Sequence, residues 1–126
     1  MDTAHFLFTD QIIVINEMHM NNFMERDICD KIDNALVKIT GYDIKALQSK
    51  DRAREKVTAR QMGMFFYLLA GQGLDKSAMR FHRDHATAIY ARNQIKNLYG
   101  LCNEKLLTEN MDLMAQMTGI DHKLST

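Results

Sequence analysis

GQGLDKSAMRFHRDHATAIYARNQI, residues 71–95, is the stretch whose reading decides the fold. Its two leading glycines end whatever helix precedes them, because glycine readily takes the left-handed backbone that closes one. Leu74, Ala78 and Phe81 then recur at helical spacing, which predicts a short helix over about 75–81. Asp84 follows as a suitable N-cap, its carboxylate able to accept from the free amides of a first turn. Ala88, Ile89, Ala91, Ile95 and Leu98 form the inward side of a longer helix over about 84–99, stopped by Gly100. Short helix, turn and long helix are the outline of a helix-turn-helix.

Working outward, Thr58-Ala59-Arg60-Gln61 fits a capping box, so a supporting helix is expected to start there and carry Met62, Phe65, Phe66 and Leu69 as its buried stripe. Further upstream, Ile28, Ile32, Ala35, Leu36 and Ile39 predict a helix over 25–39, with Gly41 as its stop and Asp43 as the cap of a short helix through Leu47. KDRAREKV, residues 50–57, breaks the apolar pattern and reads as a polar helix end or a basic loop. Downstream, Leu106, Leu107, Met111, Leu113, Met114 and Met117 predict a last helix over about 103–117. Packing is the expected role of its methionines, with a partner-binding surface as the alternative. Near the start, Ile12 to Ile15 reads as strand by propensity and the following NEMHMNNFM as helix. A lone strand would have no partner, so residues 6–24 are taken as helical.

The 126 residues suit one domain, and 46% hydrophobic and 25% charged residues with 10 Met and no Pro favour helices. The expected fold is therefore all-α: a single compact helical domain of about five to six helices containing a helix-turn-helix. No apolar run approaches the roughly 20 residues that span a bilayer, and the N-terminus lacks a basic signal region, so a cytoplasmic protein is expected. Cys29 and Cys102 lack the spacing of a disulfide framework or zinc site and read as small buried thiols inside helices.

The formal net charge is zero, but it is unevenly placed. Residues 1–44 carry three Lys/Arg against eight Asp/Glu, residues 45–96 eleven against four, and residues 97–126 two against four. A basic middle flanked by acidic segments can meet a polyanion, since screening over roughly 8–10 Å lets nearby charges dominate. A merely solvated surface is the plain alternative. No glycine is followed by Lys and no GxGxxG occurs, so no phosphate-cradling loop is expected and no nucleotide is called for. His82 and His85 could share a metal ion, but nothing nearby completes a site. Neither cysteine has a neighbouring His for nucleophilic catalysis. No enzyme, metal or cofactor is expected.

The remaining chemistry is cationic. Arg52, Arg54 and Lys56 alternate along the basic stretch, where long side chains can reach a phosphate backbone or a minor groove. Arg60 is expected in a first helical turn, whose free amides also favour anions. Arg83, Asp84, His85 and Thr87 lie at the start of the long helix, the end that a recognition helix points at base edges. Asp84 suits that place, because a carboxylate can accept from the exocyclic amine of cytosine.

LQSKDRAREKVTARQMGM (47–64) and RDHATAIYARNQI (83–95) together resemble the C-terminal DNA-binding domain of the bacterial replication initiator DnaA, over about residues 28–99. The resemblance implies that Arg52 enters a minor groove, with Lys50 and Arg54 as flanking phosphate contacts. It implies that Arg60 and Gln61 meet the DNA backbone and that Asp84, His85 and Thr87 read the major groove. Tyr90 stands where the family often has a backbone-touching His. Ala86 replaces a signature Thr, Phe81-His82 a Gly-Gly turn, Asp51 a basic residue and Ala59 a Pro, and the connection between the motifs is about two residues shorter. One lost base contact is worth roughly 1–3 kcal/mol, enough to shift target preference without abolishing binding.

The resemblance thus implies a sequence-specific double-stranded DNA-binding protein that regulates replication or transcription, chromosomal or phage-encoded, without its own ATPase. Residues 1–27 are expected as an N-terminal extension, 28–99 as the helix-turn-helix domain and 100–126 as an additional helix packed on it. A homo-oligomer or a replication-protein partner is a further expectation. The competing reading is an interaction module that keeps the fold but not the DNA reading, working through its acidic N-terminal segment and the Met face of its last helix.

Overall fold

A computed structural model describes residues 26–122, and within them the chain forms six helices and no strand. The expected helix over 6–24 lies outside the described residues. Residues 26–40 form α1, which buries Ile32, Ala35 and Leu36 on one face. Gly41 ends it at φ +81, donating its N–H to the Val37 carbonyl at 2.8 Å. Asp43 then caps α2 (Ile44–Leu47), its Oδ1 accepting from the Ala46 N–H at 2.8 Å.

The next helix, α3 (Arg54–Leu69), starts one turn earlier than the capping-box reading requires. Ala53, Arg54, Glu55 and Lys56 are good helix formers, Glu55 favours an N-terminal turn, and Asp51 Oδ1 receives the Ala53 N–H at 2.9 Å. Thr58 consequently lies inside the helix and caps nothing. This helix packs on α2 and on the two that follow, and its run Met62–Tyr67 is buried all round. It is the axis of the core. Gly63 permits a close approach: a Cβ there would sit 2.5 Å from the Phe81 ring and 2.9 Å from Leu36 Cδ1.

The helix-turn-helix consists of α4 (Gly73–Arg80) and α5 (His85–Leu98), which pack on each other and on α3. The turn closes with a Schellman motif: the Arg83 N–H reaches the Ala78 carbonyl at 2.9 Å and the His82 N–H the Met79 carbonyl at 3.0 Å. His82 takes φ +55 there, and among the described residues it is the one non-glycine with positive φ. Ala88, Ala91 and Ile95 are the buried stripe of α5.

After a turn at 99–104 comes α6 (Lys105–Thr118), which buries Leu107, Met111 and Met114. Met111 and Met114 therefore pack, as expected, whereas Met117 stays 40% exposed beside Leu106 and Leu113 at 71% and 46%. Cys102 does not match its reading as a buried helical thiol: it is exposed in the preceding turn, while Cys29 is half-buried against the core. Tyr99 OH donates to Asp112 Oδ1 at 2.6 Å, and buried His122 brings Nε2 to 2.9 Å from the same oxygen. Across the other side, Tyr67 OH donates to Asp33 Oδ1 at 2.6 Å and Arg80 pairs with the same carboxylate, joining α1, α3 and α4. Burial, reinforced by the Asp33 carboxylate, pushes the Tyr67 phenol well above its ordinary pKa.

Candidate nucleic-acid interface

The first turn of α5 is polar and outward-facing. Asp84 sits in extended backbone ahead of it, and its Oδ1 accepts both the Thr87 hydroxyl at 2.7 Å and the Thr87 N–H at 2.9 Å. Those two bonds favour the charged form and hold the Asp84 carboxyl below its ordinary range. His85 is exposed and turns back toward α4, with Nδ1 2.9 Å from Asp75 Oδ1. Its Nε2 is the ring's other polar atom. Asp84, His85 and Thr87 thus occupy one turn, as their spacing suggested, but Thr87 is bonded to the cap that Asp84 forms.

Beside this turn lies the loop that follows α2. Arg83 NH1 donates to the Phe81 carbonyl at 2.9 Å, and its NH2 crosses to the Ser49 carbonyl at 2.7 Å. Arg60 approaches the same loop from α3. Its Nε donates to the Leu47 carbonyl at 2.7 Å, and its NH2 reaches the Asp51 carbonyl at 3.2 Å and the Ser49 carbonyl at 3.4 Å. The Arg60 side chain is buried and lies in the second turn of α3, whereas its sequence position suggested the first turn of a helix. It is buried beside Ala59 and Met62, with its guanidinium taken up by the Leu47, Ser49 and Asp51 carbonyls, which would otherwise need partners elsewhere. Burial, followed by the nearby Arg83 cation, lowers the Arg60 pKa from its ordinary value.

Lys50, Arg52 and Arg54 are exposed, the first two on the loop and the third at the start of α3. Asp51, the acidic replacement within this basic run, accepts from Lys56 Nζ at 2.9 Å as well as from the Ala53 amide. The Lys56 bond is the main reason its carboxyl lies below the ordinary range. Lys56 in turn sits 5.6 Å from the Tyr42 ring centroid. A cleft of about 490 Å³ runs between α3 and α5, lined by Arg52, Arg54, Gln61, Tyr90 and Gln94. Tyr90 is 58% exposed at its edge, and Gln61 is half-buried.

The sequence-read residues therefore gather in two adjoining places. Asp84, His85 and Thr87 form the helix start, and Lys50, Arg52, Arg54, Gln61 and Tyr90 form the loop and cleft. Arg60 and Arg83 lie between the two with their guanidinium groups on backbone oxygens. Sequence reasoning missed Asp75, ten residues from the histidine it meets, and Ser49, which contributes a main-chain carbonyl that no residue type advertises. Among the described residues, no three His, Cys, Asp or Glu side chains converge for a metal, and no helix is long and apolar enough to cross a membrane.

A family model described as the bacterial dnaA protein helix-turn-helix matches residues 29–95. A chromosomal replication initiator protein DnaA of Streptococcus mutans is 30% identical over 97 residues, which is 75% of this chain and 20% of that protein. The same initiator from Streptococcus equi subsp. zooepidemicus is 33% identical over 73 residues, 56% of this chain and 16% of that protein. The chain thus spans about a fifth of the length of these relatives. No solved structure matches the chain.

Proposed function

Because the chain belongs to the bacterial DnaA helix-turn-helix family, we propose that it binds double-stranded DNA sequence-specifically and acts in replication or its regulation. In this reading the first turn of α5 enters a major groove, where Asp84, His85 and Thr87 meet base edges. Arg52 enters the adjacent minor groove, Lys50 and Arg54 hold phosphates, and Gln61 and Tyr90 meet the backbone along the α3–α5 cleft. No step of this binding calls for a cofactor, and the chain is read as a DNA-binding unit rather than an enzyme.

One observation carries the reading. The polar first turn of α5 and the exposed cations of the loop adjoin each other, with Arg83, just ahead of the Asp84 cap, reaching the loop at 2.7 Å. A helix start flanked by a cationic loop presents two elements that can enter neighbouring grooves. The test is competition between a duplex carrying a DnaA-type box and a scrambled duplex at moderate salt. Preferential retention of the box supports the proposal, and equal retention of both ends it.

A second reading has its own support. The exposed stripe Leu106, Leu113 and Met117 on α6 is the kind of apolar surface that partners cover. With Asp84 and Thr87 bonded to each other, the chain would then keep the fold for protein interaction or self-association instead of base reading. A stable, DNA-independent complex together with no box preference would favour it.

A further inference from the structure

We infer that Arg60 and Arg83 are positioning residues, which fix the cationic loop against the recognition turn before any nucleic acid arrives. The inference deepens the DNA-binding reading above and rests on it for its functional meaning. Its structural basis is a set of alternate carbonyls. Those of Leu47 and Asp51 each accept from Arg60, at 2.7 and 3.2 Å, and that of Ser49 between them accepts from both Arg83 at 2.7 Å and Arg60 at 3.4 Å. A guanidinium is a rigid, multi-donor fork, so it can hold several oxygens at once in a way that an ammonium cannot.

Two like charges are brought to one carbonyl, and among the described residues the guanidinium groups of Arg60 and Arg83 donate to backbone oxygens, not to a carboxylate. The arrangement is costly for stability alone, since burial disfavours the Arg60 cation. Its product is geometric. The loop bearing Arg52 is held by α3 through Arg60 and by the α4–α5 turn through Arg83, while Gln48 Nε2 adds a 2.8 Å bond to the Arg80 carbonyl. Arg52 and Asp84 are thereby set at one mutual position, and a cation offered to a minor groove in its bound place loses little freedom on binding. Arg60 and Arg83 act through Arg52 rather than by touching DNA.

The experiment has a DNA-free arm and a DNA arm, both on the full chain. In the first, amide hydrogen exchange at Asp51 and Ala53 is compared in wild type, Arg83→Met and Arg83→Lys. Arg83→Met is expected to speed exchange at these loop amides about tenfold or more while core amides of α3 keep their protection. Unchanged loop exchange overturns the inference whether or not DNA binds. In the second, Arg83→Met and Arg52→Ala form a double-mutant cycle on box-carrying duplex. Arg83→Met should weaken binding roughly tenfold when Arg52 is present and less than about twofold when it is Ala. Equal losses in both backgrounds mean a direct contact and overturn the inference. A wild-type chain that does not prefer the box ends the proposed function, and the exchange arm still decides whether the two arginines position the loop. Arg60→Lys, which keeps charge but not the fork, should behave like Arg83→Met in both arms.

Discussion

Asp75 meets His85 across the helix-turn-helix, its Oδ1 2.9 Å from the imidazole Nδ1. The contact joins the first turn of α4 to the first turn of α5 and orients a ring proposed to face bases. Both side chains are largely solvent-exposed, so the pair adds little stability, under about 1 kcal/mol. Asp75→Ala should therefore leave the melting temperature nearly unchanged while blurring discrimination at one base pair. Affinities for the box and for single-base variants of it check this. A uniform loss across all variants would contradict an orienting role.

Asp84 is a cap whatever else it does, and two substitutions separate its roles. Asp84→Asn keeps a side-chain oxygen for the Thr87 amide and should preserve the melting temperature, whereas Asp84→Ala should lower it. Both should change base preference, because neither offers a carboxylate to a groove. The Asp84 carboxyl titrates below its ordinary range, so its contribution is complete above about pH 4 and is lost as pH falls through the folded-state value. The melting-temperature gap between wild type and Asp84→Ala should accordingly close in acid.

His82 occupies a left-handed position that glycine fills elsewhere in the described chain, at Gly41, Gly71, Gly73, Gly100 and Gly119. His82→Gly should relieve strain and stabilise the fold by about 1 kcal/mol, net of the greater freedom of a glycine when unfolded. A rise in melting temperature of several degrees is the expected reading.

Gly63→Ala tests the close packing of α3 against Phe81 and Leu36. Alanine is the better helix former by about 1 kcal/mol. The added methyl, however, would lie 2.5 Å from the Phe81 ring, and overpacking of that kind costs about 1–3 kcal/mol. A lower denaturant midpoint at unchanged slope is the expected outcome.

The Tyr99 phenol is pushed up to about 12 chiefly by its bond to Asp112. In a spectrophotometric titration, Asp112→Asn should bring that ionisation back toward the ordinary value near 10. A raised folded-state pKa contributes stability that is full below about pH 10 and lost as pH rises through 12. Wild type should therefore lose more stability than Asp112→Asn across that alkaline window.

The helix-turn-helix was legible because its punctuation is local. Gly71, Gly73, Asp84 and Gly100 act within a turn of where they stand, and Ala88, Ala91 and Ile95 repeat at the helical period. The start of α3 was misread for the same reason. Thr58 and Gln61 match a capping box in isolation, but the helix-forming run before them and the Asp51 side chain move the start to Arg54. The burial of Arg60 was missed for a different reason: the backbone carbonyls of Leu47, Ser49 and Asp51 that take its guanidinium carry no mark in residue type or periodicity. The contacts of Arg60 and Arg83 with Ser49, and of His85 with Asp75, join residues ten or more apart through oxygens that periodicity does not mark.

A carbonyl oxygen has two lone pairs, and that of Ser49 already serves two guanidinium groups. An insertion or deletion between Leu47 and Asp51 would break the alternate spacing of the carbonyls that Arg60 and Arg83 bond and carry Arg52 out of register. Exposed side chains at 50 and 52 meet no such constraint. The loop is thus a connector whose length is frozen while its lettering is open, and in the proposed DNA-binding reading new preferences would be reached there by exchanging side chains, not by resizing the chain.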